Sequence, residues 1–395
     1  MYQSLPALRR RALLLAGLGG LAGGCPVGMA ADLTARTLVF PRDLGSHPET
    51  RTEWWYITGY ATSGAAADAR IWGFQITFFR SRVDATQAMK SAFAAKQLLF
   101  AHAAVTDVQG KKLWHDQRIA RSSGAAHDAL VPTDVSAHVT THVTAHVTAY
   151  ASETDTGIHL RDWSLVRSND RYTAVVAGAD FQLNLQFTQT QALLLQGDRG
   201  LSRKGPQPRQ ASFYYSLPQL APVGHIVVKG QKFQVTGTGG QGAAWLDHEW
   251  SDELLHPSAV GWDWIGMNLF DGSALTAFRL RDKTGNAIWD GGSFRHPNMS
   301  PQDKPHIFSR GEVLFQASRG WKSPLTQTTY PVEWLVRTPA DFYMVKALVD
   351  NQELDSRNST GAVYWEGLAD LFDSNNRHVG RGYLEMTGYT QALVL

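Results

Sequence analysis

The sequences WWYITGYAT at residues 54–62 and IWGFQITFF at residues 71–79 decide the fold of this chain. Each mixes aromatic and β-branched residues over the length of one strand. No long stretch has a convincing helical period, although residues 84–96 could hold one short helix. Many short strands punctuated by turns predict an all-β fold of sandwiches or barrels. Further strand-length runs of this kind occupy residues 97–107, 181–188, 226–235, 262–270, 275–280 and 342–349.

A break in the strand pattern divides the chain. The segment KGPQPR at residues 204–209 interrupts any strand, because proline cannot donate to a ladder and glycine weakens it. We therefore expect a domain boundary near residue 212, with one domain at residues 32–211 and a second at residues 212–395. Each half has about the size of one closed or nearly closed β-barrel.

The first 31 residues have the features of an export signal. Arginines at residues 9–11 precede an apolar run at residues 12–24 that is too short for a permanent membrane anchor. Small residues at 28–30 offer a cleavage site. The rival interpretation is a lipid anchor at Cys25, since the residues before it resemble a lipobox one position out of register. We expect a periplasmic or secreted protein, exported by a twin-arginine or Sec signal, without a stable membrane span.

Composition excludes several classes of function. Cys25 is the only cysteine, so cleavage of the leader would remove disulfides, thiolate nucleophiles and cysteine-based metal sites together. The chain has 37 basic and 35 acidic residues, and loss of the leader arginines leaves it close to neutral. This charge gives no electrostatic basis for binding nucleic acid. The 13 tryptophans are the informative excess, because indole side chains line apolar cavities well.

A His-Val-Thr repeat places histidines at His138, His142 and His146. On a helix this spacing would put all three on one face, which would suggest a metal site. Valine and threonine favour a strand instead, with one wet and one dry face. We favour a surface hairpin and predict no metal, because metal sites need converging ligands rather than repeated ones.

Two segments place ionisable groups among large aromatic side chains. The first is EWWY at residues 53–56, and the second is WLDHEW at residues 245–250, followed by WDW at residues 262–264. Such surroundings desolvate a carboxylate and raise its pKa, as a general acid working near neutral pH requires. Indole faces can also stabilise a carbocation. Together the segments suggest protonation chemistry on an apolar substrate.

A structural role is the alternative for each of these acids, because a buried carboxylate can simply accept backbone N–H groups. For Glu53 the two interpretations balance, and Trp54 and Trp55 face opposite sides of a strand, so only one can line a given pocket. For residues 247–249 a functional role is favoured, since three adjacent ionisable groups fill a core poorly. Asp263 alternates with the tryptophans beside it and therefore faces away from both.

Several other chemistries have no local support. The chain lacks a Gly-x-Ser-x-Gly elbow, a Walker loop, a dinucleotide fingerprint and a His-Glu-x-x-His motif. His248 could bind a metal, but consecutive residues of a strand cannot all converge on one ion. Arg80, at the end of an apolar strand, is expected to pair with a carboxylate. We predict that the protein needs neither a metal nor an organic cofactor.

These motifs resemble the AttH/carotenoid 1,2-hydratase family of lipocalin-like proteins. The resemblance implies two lipocalin-like β-barrel domains with an apolar cavity at or near their junction. Carotenoid hydratases of this family add water to an isolated terminal double bond without a cofactor, and fungal members cyclise polyenes. The matching pieces are TEWWY at 52–56, FQITFFR at 74–80, AHAAVTD at 101–107, YYSLP at 214–218, WLDHEWS at 245–251 and GWDW at 261–264.

The leading hypothesis is an exported enzyme of this type that binds a terpenoid or polyene-like molecule and carries out acid-catalysed hydration or a related lyase or hydrolase step. Asp247, or else Asp263, would donate the proton. His248 would orient or recharge that acid, and Glu53 would complete the polar end of the cavity. The alternative is a lipocalin-type carrier that binds the same apolar ligand without turnover. Ligand contacts are expected from Trp54, Trp55, Tyr56, Trp245, Glu249, Trp250, Trp262 and Trp264.

Overall fold

The computed structural model describes residues 33–64, 68–91, 94–122, 149–297, 299 and 303–393. The predicted leader, Cys25 and the histidine repeat lie outside these ranges, so the proposals made for them stay predictions. No helix in the described ranges is long and apolar enough to cross a membrane.

A first antiparallel sheet of fourteen strands extends from Thr52 to Glu253. Its last strand pairs with the first strand on one side and with the twelfth on the other. The strands are β1 (Thr52–Ser63), β2 (Arg70–Arg82), β3 (Gln97–Asp107), β4 (Lys112–Ser122), β5 (Ala149–Ala151), β6 (Gly157–Leu160), β7 (Trp163–Ser168), β8 (Arg171–Ala177), β9 (Phe181–Thr188), β10 (Leu194–Leu195), β11 (Leu201–Arg203), β12 (Ala211–Val228), β13 (Gln231–Thr236) and β14 (Ala243–Glu253).

A second antiparallel sheet contains the remaining ten strands. Its apolar core is separate from that of the first sheet and includes Trp334 and Trp365. The strands are β15 (Gly261–Leu269), β16 (Ala274–Arg281), β17 (Ala287–Arg295), β18 (His306–Phe308), β19 (Leu314–Lys322), β20 (Thr329–Arg337), β21 (Phe342–Ala347), β22 (Glu353–Ser356), β23 (Ala362–Phe372) and β24 (His378–Met386).

Helical structure is confined to short 3-10 turns in the described residues, at Arg42–Leu44, Asp84–Thr86 and Thr238–Gly240. The second turn lies where the sequence could have held one short helix. The predicted all-β class is therefore confirmed, and its basis is the density of aromatic and β-branched residues in strand-length runs.

The predicted domain boundary near residue 212 lies at the beginning of β12. The first sheet continues past this point to Glu253, and the second sheet begins at Gly261. Strand pairing describes sheets rather than independently folding units, so the division at residue 212 stays a prediction.

Side chains of β1 and β14 alternate between two buried environments. Trp55 belongs to the core of the first sheet, whereas Tyr56 packs in a cluster that also contains Trp264 of the second sheet. In the register between the two strands, Tyr56 lies opposite Asp247 and Trp55 lies opposite His248. Because successive side chains of a strand point to opposite faces, neighbours in the sequence enter different compartments.

Candidate functional site

An aromatic-lined cavity of about 300 Å³ lies between the two sheets. The first sheet contributes residues from β1, β2, β3, β4, β12 and β14, and the second contributes residues from β15, β16, β23 and β24. Its size and apolar walls suit a small organic ligand. Residues that line it include Trp54, Tyr56, Phe79, Phe100, Tyr214, Asp247, Glu249, Trp262, Trp264, Phe278, Leu280, Tyr364, Glu366 and Glu385.

Asp247 reaches this cavity from β14 and is held by three hydrogen-bond donors. Ser216 Oγ and Trp245 Nε1 each donate to Oδ1 over 2.6 Å, and the Tyr214 hydroxyl donates to Oδ2 over 2.7 Å. Burial raises the pKa of Asp247 to about 7, against the effect of the three donors. A carboxyl group that titrates near neutral pH can exchange a proton with a bound substrate.

Glu366 and Glu385 are two further buried acids of the cavity, directly opposite each other on β23 and β24. Glu385 Oε1 accepts a hydrogen bond from Trp262 Nε1 over 3.0 Å, while Glu366 Oε2 has no hydrogen-bond partner among the described residues. Burial and then the charge of Glu385 raise the pKa of Glu366 well above its usual value, and burial raises the pKa of Glu385 to about 8.

Neither of these glutamates was predicted from the sequence. The sequence pattern that could have identified Glu366 is the one that identified Glu53, an acid beside aromatic residues in a strand-length run. Glu366 directly follows a tyrosine and a tryptophan. Their proximity comes from the pairing of β23 with β24, which local sequence does not reveal.

Glu249, another acid that lines the cavity, is paired with a cation. Lys204 Nζ lies 3.0 Å from Glu249 Oε1, and the Ser212 hydroxyl donates to the same oxygen. The ammonium group also lies 4.2 Å from the centre of the Phe278 ring. Asp247, Glu366 and Glu385 have no such ion-pair partner in the described part of the chain, and we call these three residues the cavity acids.

Glu53 and His248 belong to a separate hydrogen-bond network, on the faces of β1 and β14 opposite those that carry Tyr56 and Asp247. Glu53 Oε1 accepts hydrogen bonds from His248 Nε2 over 2.9 Å and from His47 Nδ1 over 2.7 Å. Arg80 Nε donates to Glu53 Oε2 over 2.7 Å, which confirms the carboxylate pairing expected for this arginine. Burial acts to raise the pKa of Glu53, but the charge of Arg80 and the two histidine contacts hold it well below its usual value. We call these four residues the Glu53 network.

The prediction that His248 orients or recharges Asp247 is wrong. Glu53 is among the residues that line the cavity, but its carboxylate is already bonded to His47, Arg80 and His248, so its role at the polar end of the cavity stays a prediction. Among the described residues, the hydrogen-bond partners of the His248 ring are Tyr215 and Glu53, because His248 follows Asp247 directly on β14 and therefore faces the other side. Burial lowers the pKa of His248 to about 4, so the ring is neutral at physiological pH.

The Glu53 network also contains the one group of described residues that could converge on a metal ion. Ligand atoms of His47, Glu53 and His248 all lie within 4.8 Å of one another. Each of these atoms already takes part in a hydrogen bond, and Arg80 supplies the positive charge that the carboxylate requires. The network is therefore satisfied as it stands, and the absence of a resident metal stays a prediction.

Asp263 does not line the cavity and has the contacts of a structural carboxylate. Arg279 Nε donates to Oδ2 over 2.7 Å, the Tyr389 hydroxyl donates to Oδ1 over 2.9 Å, and Arg281 Nε lies 3.3 Å from Oδ2. The side chain is fully buried. Asp263 is thus removed from the proposed acids, because strand alternation turns it away from the side of β15 that carries its flanking tryptophans.

The predicted aromatic contacts divide between the two faces in the same way. Trp54, Tyr56, Trp262 and Trp264 line the cavity, whereas Trp245 is not among its lining residues and contacts Asp247 by a hydrogen bond. The assignments of two other tryptophans to the ligand site are wrong, because these side chains pack in the core of the first sheet. Trp55 stacks on His248 at 4.6 Å, and Trp250 stacks on His47 at 3.8 Å.

Comparison with known proteins confirms the resemblance drawn from the sequence motifs. The AttH-like family model matches residues 32–389. The crystal structure of an AttH protein (NE1406) from Nitrosomonas europaea is 41% identical and superimposes with a TM-score of 0.77, covering 91% of this chain and 100% of that one. No functionally curated sequence matches the chain significantly.

A more distant structure shows the breadth of the fold. Kievitone hydratase from Nectria haematococca is 12% identical and superimposes with a TM-score of 0.64, covering 90% of this chain and 94% of that one. This similarity establishes the shared fold alone and confirms the predicted lipocalin-like, all-β class. From the family match over residues 32–389 and the 41% identical structure, the chain belongs to the AttH-like family.

Proposed function

We propose that this protein is an exported, cofactor-independent enzyme that adds water to an apolar, terpenoid or polyene-like molecule, or carries out a related lyase or hydrolase step, by acid–base catalysis. The observation that carries the proposal is the meeting of the three cavity acids, without ion-pair partners among the described residues, inside an aromatic-lined cavity. The predicted leader at residues 1–31 supports export.

Binding alone gives no reason for this arrangement. Burying a carboxyl group without a charged partner costs free energy, and the cavity buries three of them beside indole and phenol rings. An enzyme that protonates a double bond needs such acids, and it needs electron-rich faces to stabilise the resulting positive charge. The fold shared with a hydratase also supports this class of reaction.

The test is turnover in oxygen-18-labelled water. A prenylated phenol and an acyclic polyene, each with an isolated terminal double bond, serve as probes, and mass spectrometry follows incorporation of labelled oxygen into the product. We expect incorporation with the native protein. Replacing Asp247 by asparagine should reduce the rate by roughly a hundredfold or more, the usual scale of general acid–base catalysis.

Asp170→Asn is the matched control, because Asp170 is exposed in the turn between β7 and β8. It should turn over the probes at the native rate. Tight binding of both probes without labelled product, in the native protein and both variants, would contradict the enzymatic proposal and favour the carrier.

A further inference from the structure

We propose that the cavity acids have opposite roles, with Glu366 holding the proton that is donated and Asp247 acting as the carboxylate that accepts one. This assignment rests on the proposed function and reverses the role that the sequence suggested for Asp247. It follows from which atoms donate and which accept around each carboxyl group.

Every partner of Asp247 is a donor. Trp245 Nε1 carries a hydrogen and cannot accept. The Tyr214 hydroxyl accepts a hydrogen bond from Trp264 Nε1 over 3.3 Å, so its own hydrogen is directed to Asp247. A protonated Asp247 could donate to one of these hydroxyl groups only if that group gave up its own bond to Asp247, so the partners favour the ionised form.

Ser216 completes the same pattern. Its hydroxyl accepts a hydrogen bond from Gln196 Nε2 over 2.9 Å and donates to Asp247 Oδ1 over 2.6 Å. Trp264 and Gln196 thus form a second layer of donors behind the two hydroxyl groups. They fix the direction in which the Tyr214 and Ser216 hydroxyl groups donate. A carboxylate held by three directed donors is prepared to be an anion and hence a base.

Glu366 has the opposite environment. Its Oε2 is buried without a partner in the described structure, and Glu385 is the residue directly paired with it on β24, close enough for its charge to act on Glu366. Two carboxylates placed in this way cannot both ionise without strong repulsion. Glu385 Oε1 receives a donor from Trp262 and Glu366 Oε2 receives none from the described residues, so the proton that the pair shares belongs on Glu366. Burial and then the charge of Glu385 raise the pKa of Glu366 well above its usual value, whereas at Asp247 the three donors act to lower the pKa against the effect of burial.

The hydration step then balances. The Glu366 proton forms a new C–H bond with one alkene carbon, leaving a Glu366 carboxylate and a cation at the other carbon, beside the indole rings of Trp262 and Trp264. Water forms a C–O bond to that carbon and gives a proton to Asp247. Exchange with solvent after product release returns a proton to Glu366 and removes one from Asp247, so the net reaction consumes one water.

Amide substitutions distinguish the two roles without any substrate. Glutamine has the shape of a protonated glutamate, so Glu366→Gln should keep or raise the melting temperature at pH 7. The substitution Asp247→Asn should be costly instead, because the amide hydrogens it introduces would face groups that are themselves donors. We expect Asp247→Asn to lower the melting temperature by ~2–4 °C or more.

Infrared spectroscopy supplies an independent measurement, because a protonated carboxyl group has a C=O stretching band that a carboxylate lacks. The native band at pH 7 should be lost or weakened in Glu366→Gln and retained in Asp247→Asn. Tyr214→Phe is the matched control, because it removes one donor from Asp247 and should therefore raise the pKa of that carboxyl group. As the pH is lowered, the band of protonated Asp247 should appear at a higher pH in this variant than in the native protein.

Loss of the band in Asp247→Asn together with its retention in Glu366→Gln would overturn the assignment. If Glu366→Gln does not fold, the assignment is supported when the band is retained in Asp247→Asn and changes in Glu385→Gln. Loss of the band in Asp247→Asn again overturns the assignment. The proposed function fails separately, when the double-bond probes bind and take up no labelled oxygen.

Discussion

Replacing Arg80 by methionine should lower the free energy of unfolding by about 3–5 kcal/mol, because it leaves the Glu53 carboxylate buried without its cation. Both side chains are at most 1% exposed, and Arg80 Nε lies 2.7 Å from Glu53 Oε2. The guanidinium group also donates to Gln97 and Thr50, each over 2.8 Å. The substitution therefore leaves several buried acceptors with fewer donors, which adds to the cost.

Urea unfolding at pH 7 measures this effect, and Arg82→Met is its matched control on the same strand. Arg82 pairs with Asp84 at the surface, where their side chains are 34% and 64% exposed, so its loss should cost no more than about 1 kcal/mol. Adding Glu53→Gln to Arg80→Met should recover part of the stability. Equal losses in the two single variants would show that the Glu53 network is not a principal support of the first sheet.

Stability should fall as the pH rises from about 4.5 to about 8, the range between the unfolded and folded pKa values of the cavity acids. Their folded pKa values are raised by burial, Asp247 to about 7 and Glu385 to about 8. The folded protein therefore holds protons that the unfolded chain has released, and each retained proton makes the slope more negative by roughly 1.4 kcal/mol per pH unit.

The Glu53 network acts in the opposite direction at lower pH. The pKa of Glu53 is lowered in the folded state, so its stabilisation is present above the unfolded pKa and is lost as the pH falls through the folded value. Together the two sets of acids predict maximum stability at mildly acidic pH. Urea unfolding across this range should show the maximum. Above it, Glu366→Gln should make the fall of unfolding free energy with pH less steep, by the amount that one retained proton contributes. A stability that rises steadily toward pH 8 would contradict the raised pKa values of the cavity acids.

The sequence predicted the strands and one cavity acid from local patterns. Residues 54–62 and 71–79 lie within β1 and β2, because β-branched and aromatic side chains suit a pleated, buried surface. Asp247 was singled out because acids are rarely placed among tryptophans, and it does enter the cavity. The tryptophans near Asp247 in the sequence were enough to predict that its carboxylate is buried.

The choice between the two faces of a strand could not be predicted. On a strand with one wet face, polarity identifies the inward side. Both faces of β14 are buried, so Asp247 and His248 gave no such contrast, and the two were assigned to one site although they occupy two. The same ambiguity placed Trp55 and Trp250 in the ligand site, whereas they pack around the Glu53 network.

By itself, the sequence determined the all-β class and the presence of acids among aromatic side chains, because strand propensity and desolvation by adjacent residues are local properties. Only the tertiary structure decided which acids meet. Glu366 and Glu385 join Asp247 through the pairing of β23 with β24 and the packing of one sheet on the other. Proton sharing depends on distances between groups far apart in the chain, and those distances exist only once both sheets have formed.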